Sequence, residues 1–493
     1  MGKQFTHRQR PVADGPVGVG YGFAVSQNPS WTLEELLQAT QGRLAAPSRD
    51  CCFRSISTDS RTVRPGDIFL ALSGEKFDGA AFAAQAVSSG ATALIVDRLL
   101  SPSPPVPTVV VPDTLRALGD LAHFRRCQMK KLTVVAITGS SGKTTVKEMT
   151  AAILGQCGNT LKTMGNFNNL VGLPLSLLPV SYHHRYAVME LGMNVPGEIA
   201  RLTEIARPDV ACINNIQPAH LAGLGSVEGV ARAKGELFAG CPDAAILAVN
   251  LDDPLVRKLA KGVRQKTIGF GFRKGAEVRA TRIVARGQEG MAFTLEVAGA
   301  RTRVRISAIG RHNVLNSLAA AALSHAAGAG MAQIVAGLES FATGENRLGV
   351  RQLANGLRVI NDSYNANPSS MNAALATVAM IRQDEKAVAV LGDMLELGDF
   401  SHTAHEALGA EVARLRFDYL CAVGTYAAAM VAAAQQAGMA TDKAREFGSK
   451  EEVAAFIRGR LEAGQLGRGD LVLVKGSRGM RMEQVIASLT TNE

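Results

Sequence analysis

The feature that most constrains the fold is a series of short apolar runs separated by segments with helical periodicity. In the middle of the chain the runs lie at residues 132–137, 186–189, 210–213 and 245–249. Their nearly continuous apolar character is typical of parallel strands that are covered on both faces of a sheet. Because helical patterns lie between the runs, the sequence predicts a parallel sheet with crossover helices.

Two further blocks of the chain show related patterns. In the last block, apolar runs alternate with alanine-rich helical segments, which predicts a second doubly wound α/β unit. These runs lie at residues 357–360, 387–391, 420–423 and 471–474. The first block alternates shorter runs with turns, at residues 67–72, 91–96 and 108–111. At roughly 150 residues per domain, a chain of this length is expected to hold about three domains.

We therefore expect an α/β protein of three domains. A small α/β N-terminal domain is predicted at residues 31–130, a central parallel-sheet domain at 131–343 and a C-terminal domain at 344–493. Residues 1–30 are polar, rich in glycine and interrupted by prolines, so we expect a poorly ordered extension. No apolar run approaches the roughly 18 residues of a transmembrane helix, and no signal-peptide core is present.

Composition argues against two other classes of protein, those built on a disulfide framework and those that bind nucleic acid. The seven cysteines form no C-x-x-C pair, so we interpret all of them as small buried residues and expect a reducing, cytoplasmic environment. The net charge of +10 raises the question of nucleic-acid binding. However, the basic residues are scattered, and aromatic residues make up only 5% of the chain. We expect no nucleic-acid partner and no membrane insertion; a small anionic substrate explains the charge equally well.

The most specific motif is TGSSGKTT at residues 138–145, directly after the first apolar run and before a helical pattern. This strand–loop–helix context is typical of a phosphate-binding loop, in which Gly139 and Gly142 let backbone N–H groups face phosphate oxygens. Lys143 is expected to reach the β- and γ-phosphates, and the Thr144 hydroxyl to bind Mg²⁺. The general pattern requires glycine where this chain has Ile137, so the loop is a shorter variant. An ordinary glycine-rich turn is the alternative.

Two potential metal ligands follow neighbouring strands. Glu190 closes the run at 186–189, and His220 lies a few residues beyond the run at 210–213. Ligands of open α/β sheets bind beyond the carboxyl ends of the strands, so these side chains can converge on the phosphate loop and complete a magnesium shell. A solvated carboxylate and a structural histidine are the alternatives. From its helical pattern alone, Lys234 would be a solvated lysine.

Together, these and other segments resemble the Mur ligase family over almost the whole chain, from about residue 31 to the end. The segments occur in one order: 138–145, TMGNFNN at 163–169, Glu190, His220, Lys234, GRHNVLN at 310–316, NDSYNANP at 361–368, LGDMLELG at 391–398 and KGSR at 475–478. The resemblance implies a P-loop-type central ATPase domain and a C-terminal Rossmann-like domain that closes over ATP. The N-terminal domain would hold the UDP part of a substrate. Position 361 is Asn where the family pattern has a second Asp.

The resemblance also implies roles for individual residues. The residues implied to contact ATP are Gly139, Ser140, Ser141, Gly142, Lys143, Thr144, Thr145, Asn316, Arg347, Asp362, Tyr364 and Asn365. The implied magnesium ligands are Thr144, Glu190, His220 and Lys234, with two Mg²⁺ ions expected and Lys234 present as a carbamate. The implied catalytic residues are Lys143, Lys234, Arg347 and His220. The implied substrate contacts are Asp59, Ser60, Arg61, Lys76, Asp78, Asn166, Asn168 and Asn169.

The activity implied by the resemblance is ATP-dependent amide-bond formation through an acyl phosphate. Segments 361–368 and 391–398 are most similar to the family member that joins D-alanyl-D-alanine to UDP-N-acetylmuramoyl-tripeptide in peptidoglycan synthesis. The resemblance further implies that the protein is a cytoplasmic monomer. A ligase for another amino acid, a folylpolyglutamate-type enzyme, a P-loop motor or GTPase, and an inactive nucleotide-binding scaffold are the alternatives. The third residue of the peptide and the base for the amine remain open, with His312 and His405 as candidates for that base.

Overall fold

The computed structural model of this chain describes residues 30–45, 52–74, 77–342 and 349–490. Three main sheets follow one another along the chain, and helices pack between and around them. The protein is therefore a three-domain α/β protein, as the sequence predicts. Lys76, Arg347 and residues 1–29 of the expected extension lie outside the described residues.

The N-terminal block forms a five-stranded sheet in the order β2-β9-β8-β5-β4, in which β2 pairs antiparallel with β9 and the other pairs are parallel. Two short antiparallel pairs, β1 with β3 and β6 with β7, lie beside it. Its elements are β1 Trp31–Thr32, α1 Leu33–Thr40, β2 Arg43–Leu44, β3 Cys52–Phe53, β4 Ile56–Ser57, β5 Ile68–Leu70, β6 Ser73–Gly74, β7 Phe77–Asp78, α2 Ala83–Ser88, β8 Ala93–Val96, β9 Thr108–Val110 and α3 Thr114–Gln128.

The central block forms a nine-stranded sheet in the order β11-β12-β10-β13-β14-β15-β16-β17-β18. All pairs from β11 to β16 are parallel, and the last two are antiparallel. Its elements are β10 Thr133–Thr138, α4 Lys143–Gly155, β11 Thr160–Lys162, α5 Gly172–Leu177, β12 Tyr186–Glu190, α6 Glu198–Ala206, β13 Val210–Ile213, α7 Leu221–Leu224, α8 Val227–Gly240, β14 Ile246–Asn250, α9 Pro254–Leu259, β15 Lys266–Gly271, β16 Val278–Ala285, β17 Met291–Val297, β18 Ala300–Ile306, α10 Arg311–Ala326 and α11 Met331–Ser340.

The C-terminal block forms a six-stranded sheet in the order β19-β20-β24-β21-β22-β23, parallel except for the β19–β20 pair. Its elements are β19 Gly349–Gln352, β20 Arg358–Asp362, α12 Pro368–Ile381, β21 Ala387–Gly392, α13 Ser401–Arg414, β22 Tyr419–Val423, α14 Ala427–Gln436, β23 Ala444–Phe447, α15 Lys450–Glu462, β24 Leu471–Lys475 and α16 Glu483–Thr490. The predicted runs therefore coincide with β20, β21, β22 and β24.

Burial explains why the runs are continuously apolar. Along β10, Val134 and Ala136 belong to one core, whereas Val135 and Ile137 belong to the core on the other face of the sheet. Because helices cover both faces, neither set of alternate side chains meets water. Strands β16 and β18 carry exposed residues as well as buried ones, and β17 alternates buried with half-buried residues over its second half, so a pattern of continuous apolar runs does not predict these strands. No helix in the described part of the chain is long and apolar enough to cross a membrane.

The interpretation of every cysteine as a buried residue is wrong for three of them. Cys212, Cys241 and Cys421 are buried, but Cys52 is exposed, and Cys127 and Cys157 are half-buried; Cys51 lies outside the described residues. Apolar character alone cannot distinguish a core position from a helix surface beside a polar partner.

Cys127 lies one turn after His123 on α3. The Nδ1 of His123 is 2.8 Å from the Glu204 carbonyl and must donate to it, and Nε2 lies 3.4 Å from the Cys127 sulfur, where the protonated ring can donate to the thiolate. The Arg207 guanidinium lies 3.6 Å from the same sulfur. The hydrogen bond with His123, supported by Arg207, lowers the pKa of Cys127 to about 7.

We expect iodoacetamide to alkylate Cys127 with a rate that rises through a midpoint near pH 7, because the thiolate is the nucleophile. The variant His123→Ala removes the main cause of the shift, so its midpoint is expected to rise toward the value of about 8.5 of an ordinary thiol. Peptide-resolved mass spectrometry over a range of pH measures both midpoints. The same midpoint in the two proteins would contradict this account.

Candidate active site

The carboxyl ends of the central strands meet at one edge of the sheet. Ile137 of β10 pairs with Glu190 of β12, and Thr138 pairs with Ile213 of β13, so the segments that follow these strands start side by side. They line a cavity of about 690 Å³ together with residues of the C-terminal block. The predicted residues in this lining are Ser140, Ser141, Gly142, Lys143, Thr144, Thr145, Asn166, Asn168, Asn169, Glu190, His220, Lys234, Asn316, Asp362, Tyr364 and Asn365.

The predicted phosphate loop is held from outside by asparagines. The Ser141 N–H donates to Asn215 Oδ1 at 2.8 Å, and Asn214 Nδ2 donates to the Ser141 carbonyl at 3.0 Å. Gly142 has a φ of 77° and directly precedes α4. A Cβ atom there would lie 2.5 Å from Asn316 Oδ1, so the position requires glycine both for its conformation and for space.

Lys143 and the first turn of α4 complete the loop. The Lys143 ammonium donates to the Gly139 carbonyl at 2.7 Å and therefore lies folded over the loop. Gly139 itself is not part of the cavity lining. A helix N-terminus that directly follows a glycine-containing loop, with a lysine at its first position, suits a chain of phosphates. The residues present therefore fit a nucleotide.

Glu190 is buried, with 2% of its surface exposed, and both carboxylate oxygens are engaged. Thr144 Oγ1 donates to one oxygen at 2.7 Å, and Asn168 Nδ2 donates to the other at 2.8 Å. The alternative of a solvated strand-end carboxylate is thus wrong. A buried carboxylate next to a threonine hydroxyl at the end of a phosphate loop is a donor set that suits Mg²⁺.

Lys234 is also buried, with 1% exposed, although its pattern indicated a solvated side chain. Helix α8 turns it inward, where it lines the cavity. Burial, and secondarily the Lys143 charge, hold the pKa of Lys234 well below its usual range. Within the described ranges, no carboxylate forms an ion pair with it. The neutral amine that results is a nucleophile for CO₂.

His220 reaches the cavity from the segment after β13, with a φ of 53°. Its Nδ1 contacts Glu396 Oε2 of the C-terminal block at 2.6 Å. In the part of the chain that the structure describes, no three Asp, Glu, His or Cys side chains cluster closely enough to hold a metal by themselves. A magnesium ion here would therefore also need phosphate oxygens, which is its usual mode of binding beside nucleotides.

The C-terminal block adds residues that the sequence analysis did not single out. Asn367 caps α12 by accepting from the Ser370 N–H at 2.8 Å, and its Nδ2 donates to Ser141 Oγ in the phosphate loop at 3.1 Å. Lys475 is buried and donates to Asp362 Oδ2 at 2.5 Å and to the Asn365 carbonyl at 2.9 Å. The motifs at 361–368 and 475–478 contained Asn367 and Lys475, but only the pairing of β20 with β24 sets Lys475 beside Asp362.

The two histidine candidates for the base differ in position. His405 is buried outside the cavity lining, where Nε2 accepts from the Met394 N–H at 2.9 Å and Nδ1 donates to the Ser401 carbonyl. Both nitrogens are thus engaged in structural hydrogen bonds. His312 lines the cavity, and burial together with Lys475 lowers its pKa to about 4, so it is neutral at physiological pH.

The predicted contacts for UDP that lie in the described part of the chain, Asp59, Ser60, Arg61 and Asp78, do not line this cavity. Arg61 and Asp59 form an exposed ion pair of 2.7 Å within a turn, and Ser60 donates to Gln85. Asp78 accepts from the Ala80 N–H and pairs with Arg98. Their role in substrate binding stays a prediction. Position 361 also has a local role, since Asn361 accepts from the Ser363 hydroxyl at 2.7 Å.

The fold and the cavity define a phosphate-loop nucleotide-binding enzyme whose site lies between a central and a C-terminal α/β unit. Models of three Mur ligase segments match this chain: the Mur ligase family catalytic domain at residues 53–126, the middle domain at 137–324 and the glutamate ligase domain at 346–478. The UDP-N-acetylmuramoyl-tripeptide--D-alanyl-D-alanine ligase of Escherichia coli (strain K12) is 40% identical over 94% of this chain and 99% of its own length. The chain belongs to the Mur ligase family.

Further relatives carry the same name or fold. The ligase of that name from Bacillus subtilis (strain 168) is 35% identical over 93% of this chain and 98% of its own length. A crystal structure of MurF from Acinetobacter baumannii aligns with a TM-score of 0.86 at 39% identity, covering 94% of this chain and 99% of that one. MurF from Thermotoga maritima in complex with ADP gives 0.79 at 29% identity, covering 89% and 97%. The predicted family is confirmed.

We expect Gly142→Ala to weaken binding of a non-hydrolysable ATP analogue about tenfold. A left-handed alanine costs about 1–2 kcal/mol, and its Cβ atom would meet Asn316, so the loop must leave the conformation that faces the phosphates. Calorimetric titration measures the affinity. Gly155→Ala at the other end of α4 is the control, since a Cβ atom there meets open space. Equal affinity of Gly142→Ala and the wild type would refute the role given to this glycine.

Proposed function

We propose that this ligase joins D-alanyl-D-alanine to UDP-N-acetylmuramoyl-tripeptide with hydrolysis of ATP. The observation that carries the proposal is similarity along nearly the full length of relatives with that name, 99% of the Escherichia coli ligase. The cavity supports it, because the phosphate loop and the C-terminal motifs line one space. We also propose that the enzyme is a cytoplasmic monomer. Its proposed domains span residues 31–130, 131–343 and 344–493, and the first domain is proposed to hold the UDP part of the substrate through the predicted contacts.

The proposed reaction has two steps. The terminal carboxylate of the tripeptide attacks the γ-phosphorus of ATP, the bond to ADP breaks, and an acyl phosphate forms. The amine of the dipeptide then attacks the acyl carbon, phosphate leaves, and the amine loses a proton. Two anions must approach in the first step, so its barrier is lowered chiefly by positive charge and alignment.

The residues of the cavity supply that charge and alignment. Lys143 and the N–H groups at the start of α4 bind phosphate oxygens, and Arg347 is proposed to add a second cation. Thr144, Glu190, His220 and a carbamate on Lys234 would hold two Mg²⁺ ions, which neutralise charge on the reacting phosphate when they are bound. Asn316 is proposed to contact adenine. Docking of the C-terminal unit excludes water, which would otherwise hydrolyse the acyl phosphate.

We expect phosphate release to require ATP, Mg²⁺, the tripeptide nucleotide and D-alanyl-D-alanine together, with the pentapeptide as the product by mass. Omitting each component in turn measures this requirement. Comparing tripeptides with diaminopimelate or lysine at position three identifies the preferred acceptor. Release that ignores the dipeptide but responds to another amine would overturn the proposed substrate and retain the ligase class.

We expect Lys234 to react with CO₂ because its buried amine has a depressed pKa. The nitrogen bonds to carbon and releases a proton, which gives an anionic carbamate. In buffer with ¹³C-bicarbonate, ¹³C NMR should show a carbamate signal that Lys234→Met lacks and that Lys130→Met, at an exposed position, retains. An identical spectrum from Lys234→Met would remove the carbamate from the mechanism.

A further inference from the structure

One contact joins the C-terminal unit to the part of the cavity that is proposed to hold magnesium. His220 follows β13 of the central sheet, and Glu396 follows β21 of the C-terminal sheet. The imidazole Nδ1 lies 2.6 Å from Glu396 Oε2, and the Ala222 N–H donates to the Glu396 carbonyl at 3.1 Å. Side chain and backbone of one glutamate therefore both reach the segment that carries His220.

Stability does not explain this contact. Both residues adopt left-handed backbone conformations, with φ of 53° at His220 and 65° at Glu396, which side-chain-bearing residues seldom occupy. The Glu396 side chain is 60% exposed, and ion pairs that are open to solvent contribute little to folding. Strained backbone on both sides of a weak pair indicates that the geometry serves the site.

The geometry determines which nitrogen of His220 is available. With Nδ1 held by a carboxylate, that nitrogen carries the proton and Nε2 keeps its lone pair. His220 lines the same cavity as Thr144, Glu190 and Lys234. Nε2 is thus the nitrogen left for a cation, and a carboxylate on the opposite nitrogen is the usual way in which proteins orient a metal-binding histidine.

We propose that Glu396 is a positioning residue for the cation site. When the C-terminal unit docks, Glu396 fixes the tautomer and ring orientation of His220, so the site is completed only in the arrangement that also brings Asn367 to the phosphate loop. The inference rests on the proposed function only in taking His220 as a magnesium ligand. Metal binding is thereby coupled to the closure that protects the acyl phosphate.

The test measures Mn²⁺ binding to the full chain by electron paramagnetic resonance, with a non-hydrolysable ATP analogue present. We expect Glu396→Ala to weaken Mn²⁺ binding by about 10-fold or more, the usual effect of losing such a partner. Glu396→Gln should retain most of the affinity, because its amide oxygen still accepts from Nδ1–H. Glu411→Ala is the matched control, since Glu411 pairs with Arg414 on the same helix and should bind as the wild type does.

A double-mutant cycle separates positioning from a simple latch between the two units. If Glu396 acts through the imidazole, Glu396→Ala changes nothing further in a His220→Ala background. A further loss of the same size in that background, or wild-type Mn²⁺ affinity of Glu396→Ala, overturns the proposal. Mn²⁺ binding needs neither peptide substrate. Failure of the proposed ligation would therefore appear in phosphate release alone, whereas failure of this inference would appear in metal binding.

Discussion

The parallel pairing of β10 with β12 and β13 is the constraint on which the site depends. Parallel strands end at the same edge, so the phosphate loop, Glu190 and the segment of His220 start as neighbours without any dedicated scaffold. The pairing is stable because both faces of these strands are buried. The convergence of these residues at one edge therefore follows from the parallel strand order, which the burial of both faces stabilises.

Burial also determines the chemistry of the site. Glu190 remains buried because Thr144 and Asn168 satisfy its oxygens. Lys234 has no such carboxylate partner in the described structure, and removal from water favours its neutral form. The two buried groups of this cavity thus differ in their partners. Glu190 has a hydrogen-bond donor on each oxygen, whereas burial without a carboxylate partner makes Lys234 a reactive amine.

The C-terminal unit provides hydrogen bonds at the cavity. Asn367 reaches Ser141 of the phosphate loop, and Glu396 reaches His220. Such polar contacts are short-ranged and directional, so they exist only when the two units are docked. One of these contacts places the C-terminal unit against the phosphate loop, and the other places it against His220, a proposed magnesium ligand.

The sequence by itself determined the features that depend on local patterns. Continuous apolar runs identified the buried parallel strands, and TGSSGKTT identified the phosphate loop, because neighbouring residues supply the strand, the turn and the helix start. Strands β16, β17 and β18 were missed because each combines buried residues with half-buried or exposed ones, so a continuous-run pattern does not describe them.

Only the tertiary structure decided the burial of Lys234 and the partners of His220 and Ser141. Whether a lysine on a helix faces water depends on what packs over it, which its own segment does not encode. His220 and Glu396 are 176 residues apart in sequence, and Ser141 and Asn367 are 226 apart. No local pattern specifies contacts over such separations, because they arise from the packing of two separate sheets and their helices against each other.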